Sequence, residues 1–339
     1  MDIERFTRCD SGNGQKDRLL AEDGRSGPVD LLQEALKLIQ DPYHIVTFFL
    51  IQFIIVVPST VVLLLAQWFE YEIVHKLVLQ PPAPPAPWPD MWVVFLIFVL
   101  LSVSSLVLTV NHVAATFYTA GSMYSGQNVT FKQVIQALPC LSKKLIITAL
   151  WGHAFFIIES LFFFVFFNGL TSIMPVPVPV LCVVTSLAAG LTFFFTNSVL
   201  QLAYGVTVFD GDDCKGVAAI MKGMCLARNQ WCTAFGLLLI NDLPGILLGT
   251  AFTYSMVSVL DVFSKCLIGG FLVLFASVFR NLSSVTYILF YFSIKATRGE
   301  KINFDAIADH TQFETRYDRW VGCLFQLMAA FPTLSCEWG

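Results

Sequence analysis

The chain has 339 residues, 56% of them hydrophobic and only 13% charged, whereas a soluble domain carries about 25% charged residues. A mean hydropathy of +0.71 and 32 Phe represent more apolar surface than a core of this size can hide, so most of it is expected to face lipid. The net charge of −4 argues against a nucleic-acid partner, because phosphate binding needs a concentrated positive field.

In chain order, residues 1–28 are polar and form a cytosolic tail expected to be disordered, with no apolar centre; the first membrane segment is then its own insertion signal. Val29–Gln40 (VDLLQEALKLIQ) has the apolar spacing of an amphipathic helix. Apolar stretches follow at about 45–69, 91–119, 145–168, 178–209, 231–260 and 266–294, each at or above the roughly 20 residues a helix needs to cross the hydrocarbon. Their Phe, Leu, Val and Ile run continuously rather than alternating, which excludes a lipid-embedded β-barrel pattern, and the bilayer then forces helices because backbone groups must be satisfied within each segment. Pro58 and Pro244 are expected to bend the first and fifth spans. Pro81–Pro89 and Met174–Pro179 read as short, stiff connections.

Lys and Arg set the orientation. Seventeen of the twenty lie in the N-terminal tail, the loops at 120–144 and 210–230, and the segment after 294, against Lys76 and Lys265 in the opposite loops and Arg280 inside a span. The positive-inside rule places both termini and the charged loops in the cytosol. The sequon at Asn128 then lies on the unglycosylated side.

Three of the cytosolic segments align about Gly126, Gly211 and Gly299, with Tyr118, Tyr204 and Tyr291 seven or eight residues ahead, at the depth of an aromatic belt. Val129, Val134, Ile135 and Leu138 in the first copy, and Val217, Ile220 and Met221 in the second, give short amphipathic helices. The expected architecture is therefore an all-α membrane protein: six transmembrane helices as three parallel repeats of an amphipathic helix plus a transmembrane hairpin, over residues 29–312, with a last unpaired helix at 302–312. Residues 313–339 form a cytosolic tail whose Trp320–Leu334 is too short to span and carries Cys323, an acylation candidate.

Ionisable residues at membrane depth are the sharpest leads. Glu159 lies fifteen residues past Lys144, Arg280 fifteen before Lys295, and Asp242 twelve into the fifth span. Unpaired charge there costs about 3 kcal/mol, so Arg280 is expected to pair with Glu159 or Asp242, either as a helix-docking ion pair or as part of a proton or solute route. His153 is six residues before Glu159, which puts the two on different helical faces. Asn111, His112, His153 and Asn197 are the candidate interhelical polar groups, with Asn111, His112 and Asn197 expected to make hydrogen bonds between helices.

Catalytic and cofactor signatures are absent. There is no GxSxG, no GxxxxGK[ST], no GxGxxG after a strand, and the nine Cys and five His show no metal-ligand spacing. Asp210–Asp213 reads as a solvated turn before a helix. No metal and no cofactor is expected, and the chain is read as not an enzyme.

Six spans in three repeats suggest mitochondrial carriers, but the Pro-x-[Asp/Glu]-x-x-[Lys/Arg] signature is missing. The amphipathic helix before each hairpin, Asn241-Asp242-Leu243-Pro244 in the fifth span, and Tyr291-Phe292-Ser293-Ile294-Lys295 leading into Gly299-Glu300 resemble a group of plant multi-pass membrane proteins of unknown function. That group is distantly similar to the bacterial membrane domain found beside glycerophosphodiester phosphodiesterases. The similarity covers roughly residues 29–312 and does not include the phosphodiesterase domain, so no activity follows from it. The expectation is a non-enzymatic membrane protein that organises or scaffolds membrane components; the alternative is a transporter or channel using the midplane charges. Expected partners are membrane lipids, with other membrane proteins or a second copy in a homo-oligomer as candidates.

Overall fold

The computed structural model describes residues 27–41, 45–79, 88–127, 129–173, 178–210, 214–257 and 261–300. Among these there is no strand. The expected helix at 302–312, Cys323, the two tails and Asn128 lie outside the described residues.

Among the described residues, six helices are long and apolar enough to cross a membrane: Ile45–Phe69, Val99–Tyr124, Phe131–Phe167, Val183–Phe209, Trp231–Val257 and Val262–Thr297. Each overlaps one of the six apolar stretches of the sequence. Helix α1 (Pro28–Gln40) precedes them. The first membrane-length helix is α2 (Ile45–Ile51), a π turn at Gln52–Val56, and α3 (Val57–Leu79). Next come α4 (Trp88–Tyr124), α5 (Phe131–Ile173), α6 (Val178–Phe209) and the short α7 (Val217–Asn229). The fifth is again composite: α8 (Trp231–Leu237), a π turn at Leu238–Asp242, and α9 (Leu243–Val257). Helix α10 (Val262–Thr297) closes the bundle.

The two π turns have one cause. Each begins six residues before a proline, Gln52 before Pro58 and Leu238 before Pro244. A proline lacks the N–H for the i−4 carbonyl and its ring crowds that carbonyl. A single wider turn relieves the crowding without ending the helix, which lipid would not tolerate. The bends expected at Pro58 and Pro244 thus take the form of bulges.

Asp261 caps α10: its carboxylate accepts Ser264 Oγ at 2.7 Å and Ser264 N–H at 3.1 Å. These bonds hold its carboxyl below the usual range.

Packing is uneven along the bundle. The end where the connections at 125–130, 210–216 and 298–300 lie, here the cation-bearing end, holds the main core. There Phe117, Leu141, Leu145, Leu202, Phe209 and Leu226 are buried together. On α10 every residue from Ser283 to Lys295 is buried, so this half-helix is enclosed on all faces. Helix α10 as a whole packs on α1, α3, α4, α6 and α9 and on both π turns. Toward the other end, large apolar groups stand out of the bundle, among them Leu100 at 67%, Phe164 at 68% and Phe263 at 76% exposure.

Three expectations are corrected here. The amphipathic segment at 129–138 is no separate helix. Val134, Ala137, Leu141 and Leu145, at 0–2% exposure, form one stripe at helical spacing that runs through Pro139 into the span, so α5 is continuous from Phe131. Its start is fixed by a capping box: Thr130 N–H donates to Gln133 Oε1 at 2.8 Å. Second, whatever their depth, Tyr118, Tyr204 and Tyr291 do not face lipid as the rings of an aromatic belt do but are buried in the core, at 2%, 4% and 0% exposure. Their rings fill the space between helices, where Phe209 stacks on Tyr291 at 5.7 Å. Third, Asp210 is no solvated turn residue: its side chain is only 6% exposed.

Candidate functional site

Helix α10 carries a polar stripe through an apolar bundle. Ser277, Arg280, Asn281, Ser283, Ser284, Tyr287, Tyr291 and Lys295 recur at spacings of three and four and so share one broad side of the helix. Three clusters form along it.

The first lies at the π turn of the first span. Gln52 Nε2 donates to Ser277 Oγ at 2.8 Å, and Gln52 Oε1 accepts Asn281 Nδ2 at 3.0 Å. Asn281 Oδ1 in turn accepts Thr116 Oγ1 of α4 at 3.3 Å. The second lies at the other π turn. Asp242 accepts Ser283 Oγ at 3.0 Å, Tyr287 OH at 2.8 Å and Asn197 Nδ2 of α6 at 3.2 Å. Because Tyr287 gives its proton to Asp242, Ser198 is the donor in its 3.0 Å bond to Tyr287 OH. Each π turn therefore places one polar side chain across an i, i+4 pair of α10: Gln52 across 277 and 281, Asp242 across 283 and 287.

Arg280 sits between them without joining either carboxylate. Its guanidinium donates to Ser59 Oγ of α3 at 3.0 Å and Thr109 Oγ1 of α4 at 2.7 Å. The expected pairing with Glu159 or Asp242 is absent, for two geometric reasons. Helical side chains lean toward the N-terminus, so Arg280 reaches away from the turn of Ser283 and Tyr287 that holds Asp242. Glu159 is on α5, which packs chiefly on α4 and α6 and less on α7 and α2. There Oε2 accepts Thr196 Oγ1 at 3.1 Å, and the buried Oε1 has no hydrogen-bond partner.

The remaining polar groups divide. Asn111 accepts Ser142 Oγ across the α4–α5 contact at 2.7 Å, and Asn197 reaches Asp242, so both bridge helices. His153 bonds its own helix, Nδ1 to Ala149 O at 2.9 Å, and does not relay to Glu159. His112 makes no interhelical bond: it is 1% exposed and both ring nitrogens lack a partner.

The third cluster closes the cation-bearing end. Asp210, just past α6, receives Lys295 Nζ at 2.7 Å, Lys222 Nζ at 2.8 Å and Tyr291 OH at 2.7 Å. Lys295 also meets Glu300 at 2.7 Å, and Arg298 donates to Cys225 O of α7 at 2.9 Å. Burial opposes ionisation of Asp210, but the bonds from Lys222, Lys295 and Tyr291 outweigh it and hold the carboxyl below its usual range. The turn between α6 and α7 is pinned further by Thr148, which meets Thr207 Oγ1 at 3.0 Å and accepts Gly216 N–H at 3.0 Å.

Sequence reading missed Gln52, Ser59, Thr109, Asn281, Tyr287 and the Asp210–Lys295 pair. The spacing of polar residues along α10 was the available signal. No group of three or more His, Cys, Asp or Glu residues able to hold a metal occurs among the described residues.

Residues 88–320 match the model of a family described as a domain of unknown function (DUF8558). The match starts at the first residue of α4 and takes in the second to sixth membrane-length helices. Neither the curated proteins nor the solved structures contain a match.

Proposed function

The chain belongs to the DUF8558 domain family, a membership that names no activity, and from the geometry we propose a non-enzymatic, multi-pass membrane protein that organises or supports other membrane components. Both termini and the charged connections face the cytosol in this reading, as the distribution of Lys and Arg directs.

One observation carries it: the solid packing of the cation-bearing end. The half-helix Ser283–Lys295 is enclosed on every face, and the buried Asp210–Lys295 pair ties α6, α7 and α10 together beneath it. A filled core of this kind makes a rigid platform at the bilayer surface. It leaves the exposed apolar flanks of the other half for lipid or for neighbouring spans.

The three-repeat organisation belongs to the same proposal. It is supported by the connections after α4 and α10, which end in one cap geometry. Gly126 and Gly299 adopt positive φ of 80° and 65°, and the following N–H groups bond back five residues, Gln127 to Ser122 O at 2.9 Å and Glu300 to Lys295 O at 3.0 Å. Helices α1 and α7, each with an apolar face on the core, support the expected interfacial helix ahead of a hairpin.

A second reading, transport, is favoured by the way Arg280 and Asp242, two ionisable groups deep in the bundle, are held by neutral partners. Ion and proton flux in liposomes separates the two. The organiser reading expects background flux from the wild type and from Arg280→Ala alike, whereas charge-dependent flux abolished by Arg280→Ala overturns it.

A further inference from the structure

Arg280 lies at the middle of α10, eighteen residues from Val262 and seventeen from Thr297. Its two hydroxyl partners use two of the five N–H donors of a guanidinium and cancel none of its charge. Among the described residues, no carboxylate is within ion-pair distance of it. Asp242, one turn nearer the cation-bearing end, makes no ion pair with it; its oxygens accept instead from Asn197, Ser283 and Tyr287.

His112 supplies an independent observation. Thr109, one turn before it on α4, touches Arg280, and Thr116, one turn after it, touches Asn281. These contacts bracket His112 against the same stretch of α10, within electrostatic reach of the guanidinium. The ring is 1% exposed with neither nitrogen bonded. In either neutral tautomer one of those nitrogens is an N–H donor, and a buried donor without an acceptor is costly. The two deficits match. A cation lacks a negative partner and, beside it, an N–H lacks an acceptor.

We infer that Arg280 and His112 form a binding site for one small monovalent anion, a halide or nitrate, at the middle of the bundle. A single negative charge neutralises Arg280 and accepts from the ring N–H. A divalent anion such as sulfate would exceed the single charge of Arg280 and add to the negative charge of Asp242 one turn away, which the low-dielectric interior disfavours. The inference goes beyond the organiser reading and does not depend on it, because a bound anion can serve as a resident counter-ion in a bundle that conducts nothing.

Equilibrium dialysis tests it. The purified full-length chain, in detergent and equilibrated with gluconate, is titrated with radiolabelled chloride at constant ionic strength. Saturable uptake approaching one chloride per chain is expected, with nitrate competing and sulfate not. Arg280→Gln should abolish uptake, and His112→Phe should weaken it about tenfold, the usual effect of losing one hydrogen bond to a charged group. Thr250→Val, which removes a hydroxyl bonded only within its own helix, should bind as the wild type and controls for handling. Absence of saturable uptake by the wild type overturns the inference whatever the variants do. So does unchanged affinity in His112→Phe, or competition by sulfate as strong as by nitrate.

Discussion

Replacing Lys295 by Met removes the cation at the centre of the buried cluster. Its ammonium is 5% exposed and sits 2.7 Å from both Asp210 and Glu300. Glu300, at 38% exposure, can turn to water, but Asp210, at 6%, cannot. Asp210 keeps the Tyr291 hydroxyl and Lys222, and the latter, at 39% exposure, offsets little of the lost charge. Breaking a buried pair by removing one partner costs about 3–5 kcal/mol. At roughly 2 °C per kcal/mol for a chain of this size, the apparent Tm of the detergent-solubilised protein should fall by about 6–10 °C. Lys222→Met, which removes the exposed partner, should cost under about 1 kcal/mol. The double variant Asp210→Asn/Lys295→Met should recover much of the loss, because the charges it leaves without a partner, Lys222 and Glu300, are both partly exposed and reach water. Acid supplies an independent readout. Asp210 has its carboxyl lowered in the folded state, so its contribution is fully present above the ordinary carboxyl pKa of about 3.9 and is lost as pH falls through the lower folded value. Stability lost on acidification below about pH 4 should therefore be smaller in Asp210→Asn. Equal Tm losses in Lys295→Met and Lys222→Met would refute the reasoning, since they would mean that burial of the pair has no energetic consequence.

Two further predictions concern backbone approach. A Cβ at Gly223 would lie 2.8 Å from Val199 O and 3.0 Å from Ala203 N, backbone atoms of α6 that cannot swing away. Gly223→Ala should thus push α7 off α6 and cost about 1–3 kcal/mol, while Gly190→Ala, in open space on the same helix α6, should leave the Tm unchanged or raise it. Gly126→Ala and Gly299→Ala meet no neighbouring atom but must hold positive φ, so each should cost about 1–2 kcal/mol by conformation alone; melting curves of the two variants check this, and a neutral effect at both would remove the shared cap as a determinant.

Membrane-length segments were legible in the sequence because each is a continuous apolar run and lipid leaves no alternative to helix. Their partners were not. Arg280, Asp242 and Glu159 were recognised as deep charges, yet which of them meet depends on the order and rotation of helices around α10, and hydrophobic periodicity carries no information about either. Glu159 faces Thr196 on α6 and Arg280 faces α3 and α4, so similar depth did not mean contact. Pro58 and Pro244 announced bends but not the width of the turn ahead of them, and it is that wider turn which brings Gln52 and Asp242 onto α10. Lys295 looked like one of many cytosolic cations because counting charges does not register burial. The stripe from Ser277 to Lys295 was readable at helical spacing, and would have pointed to α10 as the helix on which the polar groups converge.

The central claim is that the packed, ion-paired end of the bundle faces the cytosol in a six-span membrane protein. Single cysteines introduced at Lys132, exposed at the start of α5, and at Asp261, exposed at the start of α10, test it most directly. They are placed one at a time in a chain whose nine native Cys have been replaced, and sealed right-side-out vesicles are treated with a membrane-impermeant maleimide. The account predicts that Asp261→Cys is labelled at once and Lys132→Cys only after permeabilisation. Immediate labelling of Lys132→Cys with protection of Asp261→Cys, or immediate labelling of both, would contradict it.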